Sequence, residues 1–134
     1  ADRLETGLAD GQILTLQAEE FAEWPRLGEW QAARTDAQET GDVSAMRRLA
    51  FRASSGAGAP RNYREAYFLA SLAAAAADAG AAALRDRLDA RFTGFGGEIA
   101  EAWLTAREQA AGEAVGAWTE GGVAEQVMRR YGAE

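Results

Sequence analysis

Apolar residues recur along this chain at spacings of three and four, the signature of short helices with one buried side. Leu14, Ala18 and Phe21, widened by Ile13 and Trp24, mark such a face over residues 10–24. Glu19, Glu20 and Glu23 fall mostly on the other side. Asp10 is placed to cap this helix, and Trp24-Pro25 ends it, because proline crowds the residue before it out of the α region. A second helix follows at about 27–39, with Leu27, Trp30, Ala33 and Ala37 on its stripe. Gly41 closes it from the position after the last turn, where a left-handed backbone is needed.

Asp42 caps a third helix, 43–54, facing inward through Ala45, Met46 and Leu49. Ser54 to Pro60 reads as a loop by composition. Asn62 and Glu65 have the spacing of a capping box for a fourth helix, about 63–76, with Tyr63, Ala66, Leu69 or Ala70, and Ala73 facing inward. Asp78 caps a fifth, 79–92, carrying Ala81, Leu84, Leu88 and Phe92. Thr93 to Gly97 breaks the chain. A sixth helix is expected at about 98–112 with Ile99, Ala102, Trp103 and Ala106, and Val115 and Trp118 follow in a tail. After Gly121-Gly122 a short helix, 123–131, carries Val123, Val127 and Tyr131. No strand pattern is present. The alanine-rich run from Leu69 to Leu84 contains Asp78 and Gly80 and is too short to span a bilayer.

Composition narrows the chemistry. The 134 residues suit one domain. They include no His, no Cys and no Lys, so all 14 basic residues are Arg. Thiolate and imidazole catalysis, lysine Schiff bases and tetrahedral zinc sites are excluded. The net charge of −7 argues against a nucleic-acid binder. That charge is unevenly spread: residues 1–41 carry −6, residues 42–93 carry +3 and residues 94–134 carry −4.

The chain repeats itself. Gly41-Asp42-Val43-Ser44-Ala45 returns with drift as Ala77-Asp78-Ala79-Gly80-Ala81, 36 residues later. Ala45 and Leu49, the Gly56-x-Gly58 loop, then Ala59, Pro60, Asn62, Tyr63, Ala66 and Ala73-Ala74 follow one ordered pattern. On these residues the stretch from Gly41 to Ala83 resembles the Sel-one-like repeat, a relative of the tetratricopeptide repeat. The likeness departs at Ala59, Asn62, Ala77 and the longer Gly94-Phe95-Gly96-Gly97 connection. It implies an all-α, short solenoid of antiparallel helix pairs: capping helices over 1–41, a complete repeat over 42–77, a degenerate repeat over 78–112 and a C-terminal cap over 113–134. It further implies a non-enzymatic bacterial adaptor or scaffold whose first helices line a concave binding face.

Most candidate sites are weak. Gly56-Ala57-Gly58 follows a helix, without the lysine of a phosphate loop. The pairs Glu98 and Glu101, or Glu19, Glu20 and Glu23, match a solvated helix face better than a glycosidase dyad. Ser54 and Ser55 have no base to activate them. No carboxylate loop of calcium-binding pattern is present, so no cofactor, metal or catalytic residue is expected. The arginines are more informative. Arg47, Arg48 and Arg52 on the third helix, with Arg85, Arg87 and Arg91 on the fifth, are expected to gather and read an acidic protein partner. The opposing reading pairs them with Asp86, Asp89 and the acidic ends. Phe95 is a further candidate contact, and the four tryptophans are expected mainly in the core.

Two alternatives stand beside the adaptor: an accessory subunit docked on the soluble side of a membrane complex, and a small-molecule-binding envelope protein. The opening Ala1-Asp2 has the form left by signal cleavage, so a periplasmic or exported location is expected, with a cytoplasmic one as the alternative.

Overall fold

The computed structural model describes residues 12–132. Its elements are α1 (Gln12–Ala22), α2 (Leu27–Thr40), α3 (Val43–Ser55), α4 (Tyr63–Ala75), α5 (Ala79–Gly94), α6 (Gly97–Thr119) and α7 (Val123–Tyr131). The described residues contain no strand, and none of their helices is long and apolar enough to cross a membrane. The cap placed at Asp10 lies outside the described residues.

The middle of the molecule is α4. It buries Tyr63, Ala66, Tyr67, Phe68, Leu69, Ala70, Leu72 and Ala73, so it is apolar nearly all round, as a helix enclosed by others must be. It packs against α1, α3, α5 and α6. Its alanines let those neighbours approach closely, and each large side chain enclosed there contributes roughly 1.5–3 kcal/mol. The expected inward residues of α5, namely Ala81, Leu84, Leu88 and Phe92, are all buried. So are Met46 and Leu49 of α3, joined by Ala50 and Ala53. Ala18 and Ala33 are exposed instead, because α1 and α2 lie at the edge; among their described side chains a narrow strip is buried, namely Gln17, Phe21, Trp30 and Ala37.

The two turns of the sequence repeat are alike in backbone. Gly41 and Ala77 both lie in the left-handed region, at φ 65° and 68°. Asp42 and Asp78 both send their N–H back to an alanine carbonyl, Ala37 and Ala73 respectively. Their carboxylates then accept from Ala45 N and Ala81 N at 3.0 and 2.9 Å. Asn62 likewise accepts from Glu65 N at 3.0 Å. The reciprocal half of that capping box is absent, since the Glu65 carboxylate turns to α2 and the Asn62 N–H goes to the Ala53 carbonyl.

The C-terminal part differs from expectation. α5 continues to Gly94, and α6 runs unbroken through the boundary drawn at 112/113. Ala110 and Ala114 are buried and Trp118 packs against the core, so the inward face persists at spacings of four past Gly112 and Gly116. Val115 points outward and is 63% exposed. After Gly121-Gly122, α7 returns to pack on α2 as well as α6. Val123 is buried, the Tyr131 hydroxyl accepts from Val43 N at 3.2 Å, and Arg130 lies 3.7 Å from Asp42.

Candidate functional site

A groove of about 610 Å³ opens between α3 and α5. Leu84 and Leu88 form its floor with the ring of Tyr63, and all three are buried. Phe51, Ser54 and Ser55 line it from α3; Arg87, Ala90 and Arg91 line it from α5. Arg87 lies over the Phe51 ring, 6.0 Å from its centroid, and Arg91 lies over Tyr63 at 5.6 Å. Phe51 is 37% exposed. Among the described residues, no carboxylate lines this groove. Its chemistry is an apolar trough with guanidiniums on the rim, suited to an apolar side chain next to an acidic group.

The six candidate arginines do not share one face. Only Arg87 and Arg91 line the groove. Arg47 is committed to Asp78 at 2.7 Å and so ties α3 to the cap of α5. Arg48 is exposed and donates to Ser44 Oγ at 2.8 Å. Arg52 donates to the Ala57 and Gly58 carbonyls and lies 5.4 Å from the Trp30 ring, holding the glycine loop as a turn. Arg85 lines a different groove, with Tyr67, Ala111 and Trp118. Phe95 is 43% exposed at the end of α5 and tilts against Phe92. Phe51 escaped the sequence reading because it sits among arginines, outside the Ala45/Leu49 stripe. Its signal was an aromatic one turn beyond Arg47 and one before Ser54-Ser55.

A second feature also passed unnoticed: the pattern Trp-x-x-Ala-Arg occurs at 30–34 and again at 103–107. Each copy closes on one carboxylate of a neighbouring helix. The Trp103 indole donates to Asp89 at 2.9 Å, and Arg107 donates to the other oxygen of Asp89. The Trp30 indole donates to Glu65 at 3.0 Å, and Arg34 Nε lies 2.8 Å from the same oxygen, off the hydrogen-bond direction. Arg34 also lies 4.5 Å from the Phe68 centroid. The i, i+4 spacing puts indole and guanidinium on one helix face. Trp103 is fully enclosed, stacked on Phe92 at 4.6 Å and edge-on to Tyr67, whereas Trp24 and Trp118 are half-buried. Burial, then the nearby Asp89, pushes the Tyr67 phenol above its ordinary value. The hydrogen bond to Asp89 raises Arg107 as well. These clusters clamp α4 and α5 between their neighbours and leave the α3–α5 groove open. No protein-family model, curated protein or solved structure matches the chain.

Proposed function

We propose that this chain is a non-enzymatic protein-interaction module, a short stack of antiparallel helix pairs that offers the α3–α5 groove to an acidic segment of a partner protein. The observation that carries this reading is the groove itself: Phe51 exposed at its edge, leucines beneath, and the Arg87 guanidinium above, with no carboxylate among the described residues that line it. An adaptor of this kind needs no reactive side chain, in keeping with the residue types present. The test is a photo-crosslinking phenylalanine analogue in place of Phe51, used in the native host. It should capture one partner protein. The captured segment should then bind the purified chain at least tenfold more weakly after Arg87→Glu and equally well after Arg48→Glu. No adduct, or equal loss in both variants, overturns the reading.

The exposed Leu104 and Val115 of α6 favour a second reading, an accessory subunit of a membrane-bound assembly. Native mass in a gentle extract separates the two: a permanent subunit migrates with its complex, a transient adaptor as a free single protein.

A further inference from the structure

We infer that a second groove, between α4 and α6, binds a small aliphatic carboxylate, its head on Arg85 and the Tyr67 hydroxyl and its tail in an alanine-lined trough. The groove measures about 340 Å³, within the range of small-ligand sites. Among the described residues none lines both this groove and the α3–α5 groove, so the two sites are separate. Its walls are short: Ala74 of α4 and Ala111 and Ala114 of α6 bring only a methyl each, with Trp118 beside them. Methyls alone select no ligand; the polar residues do. Tyr67 and Ser71 are one turn apart on α4 and share a face, and Ala74 follows in the next turn, so the lining passes from polar to apolar along the helix. Tyr67 is 8% exposed, yet among the described residues its hydroxyl has no hydrogen-bond partner and opens into the groove. A buried hydroxyl without an acceptor is costly, and a ligand carboxylate supplies that acceptor. Arg85 is, among the described residues, the one charged side chain of the lining. Its contact with the exposed Asp86 runs through Nε at 3.7 Å, beyond hydrogen-bond length, so guanidinium N–H groups are left for an anion. The Arg85 charge also reaches the Tyr67 phenol, which puts both at the polar end. Asp89, whose charge reaches that phenol too, is already held by Trp103 and Arg107. One guanidinium and an O–H donor match one carboxylate, and the methyls with Trp118 match an alkyl chain.

Calorimetric titration of the purified chain with sodium decanoate, kept below its micelle concentration, tests the assignment. Decanoate should saturate one site. Arg85→Gln should weaken it at least tenfold and Tyr67→Phe about threefold, whereas Arg48→Gln on α3 should leave it unchanged. Decanol, the same chain without the charge, should bind at least tenfold more weakly than decanoate. Ala111→Phe fills the trough and should abolish binding with the helical circular dichroism retained; should that variant unfold, the Arg85→Gln and decanol arms decide. Absence of saturable binding, equal affinity for decanol, or indifference to Arg85→Gln or to a folded Ala111→Phe overturns the inference. So does a peptide with a free apolar C-terminus that binds more tightly than decanoate, since the groove would then belong to a partner's chain end.

Discussion

The turn at Gly41-Asp42 and the turn at Ala77-Asp78 have one backbone and different residues, and the difference comes from what lies over them. A Cβ at Gly41 would meet the backbone of Gln126 and Val127 in α7 at 2.5–2.6 Å. Ala77 borders an open recess with Val127 and Tyr131 along its wall. Ala77 bears the strain of a positive φ, roughly 1–2 kcal/mol for a residue with a Cβ, whereas Gly41 does not and also allows the close backbone approach. Glycine is obligatory where the terminal helix docks; alanine is tolerable, with strain, where it does not. Of two turns with one backbone, the one its tertiary environment leaves free is the one that carries the side chain.

The harshest test of that contrast is Gly41→Ala. It should cost about 2–4 kcal/mol, from strain plus overlap with α7, measured by urea unfolding. Hydrogen exchange should show the amides of α7 released before those of α4. If α7 stays protected and stability is unchanged, the close approach does not matter.

The two caps offer a gentler comparison. Asp78→Ala should cost about 1–2 kcal/mol and Asp42→Ala about 1 kcal/mol. The Asp78 side chain is the more buried, 10% exposed against 26%, and it also holds Arg47. Equal losses would mean that the Arg47 pair adds no more than the looser Arg130 contact at Asp42.

A titration examines the core away from both turns. The Tyr67 phenol is raised in the folded state, so its contribution is fully present below its unfolded value near pH 10. That contribution should fade as pH climbs through the higher folded value. Stability followed by thermal melts should fall in alkali, and Tyr67→Phe should flatten that fall.

Smallest in size, Ala77→Gly should raise stability by about 0.5 kcal/mol, because relief of the left-handed strain slightly exceeds the added freedom of the unfolded chain. A loss instead would show that the Ala77 methyl makes a contact that outweighs its strain.

Much of the fold was legible. The Asp42, Asn62 and Asp78 caps, the Gly41 stop, and the buried faces of α4 and α5 follow from spacing and from local hydrogen bonding. Ala18 and Ala33 were misplaced because an edge helix buries a narrower strip than periodicity alone suggests. Of the candidate site, Arg87 and Arg91 stood among the named residues, but the sequence also offered Arg47, Arg48, Arg52 and Arg85 as their equals. Helical phase about each axis divides them, and that phase has meaning only once the neighbouring helices are in place. Phe51 and the paired Trp-x-x-Ala-Arg clusters needed the fold, since their partners Arg87, Glu65 and Asp89 lie on other helices.

By itself, then, the sequence determined an all-helical chain with its caps, its turns and a turn pattern that recurs after 36 residues, together with the loss of every His, Cys and Lys chemistry. These are consequences of local forces, acting over one or two helical turns. The tertiary structure alone decided that α7 folds back over the first turn, that α4 becomes the enclosed centre, and that two of six arginines border an apolar groove. Those outcomes depend on contacts between residues far apart in the chain, where packing rather than local preference selects the arrangement.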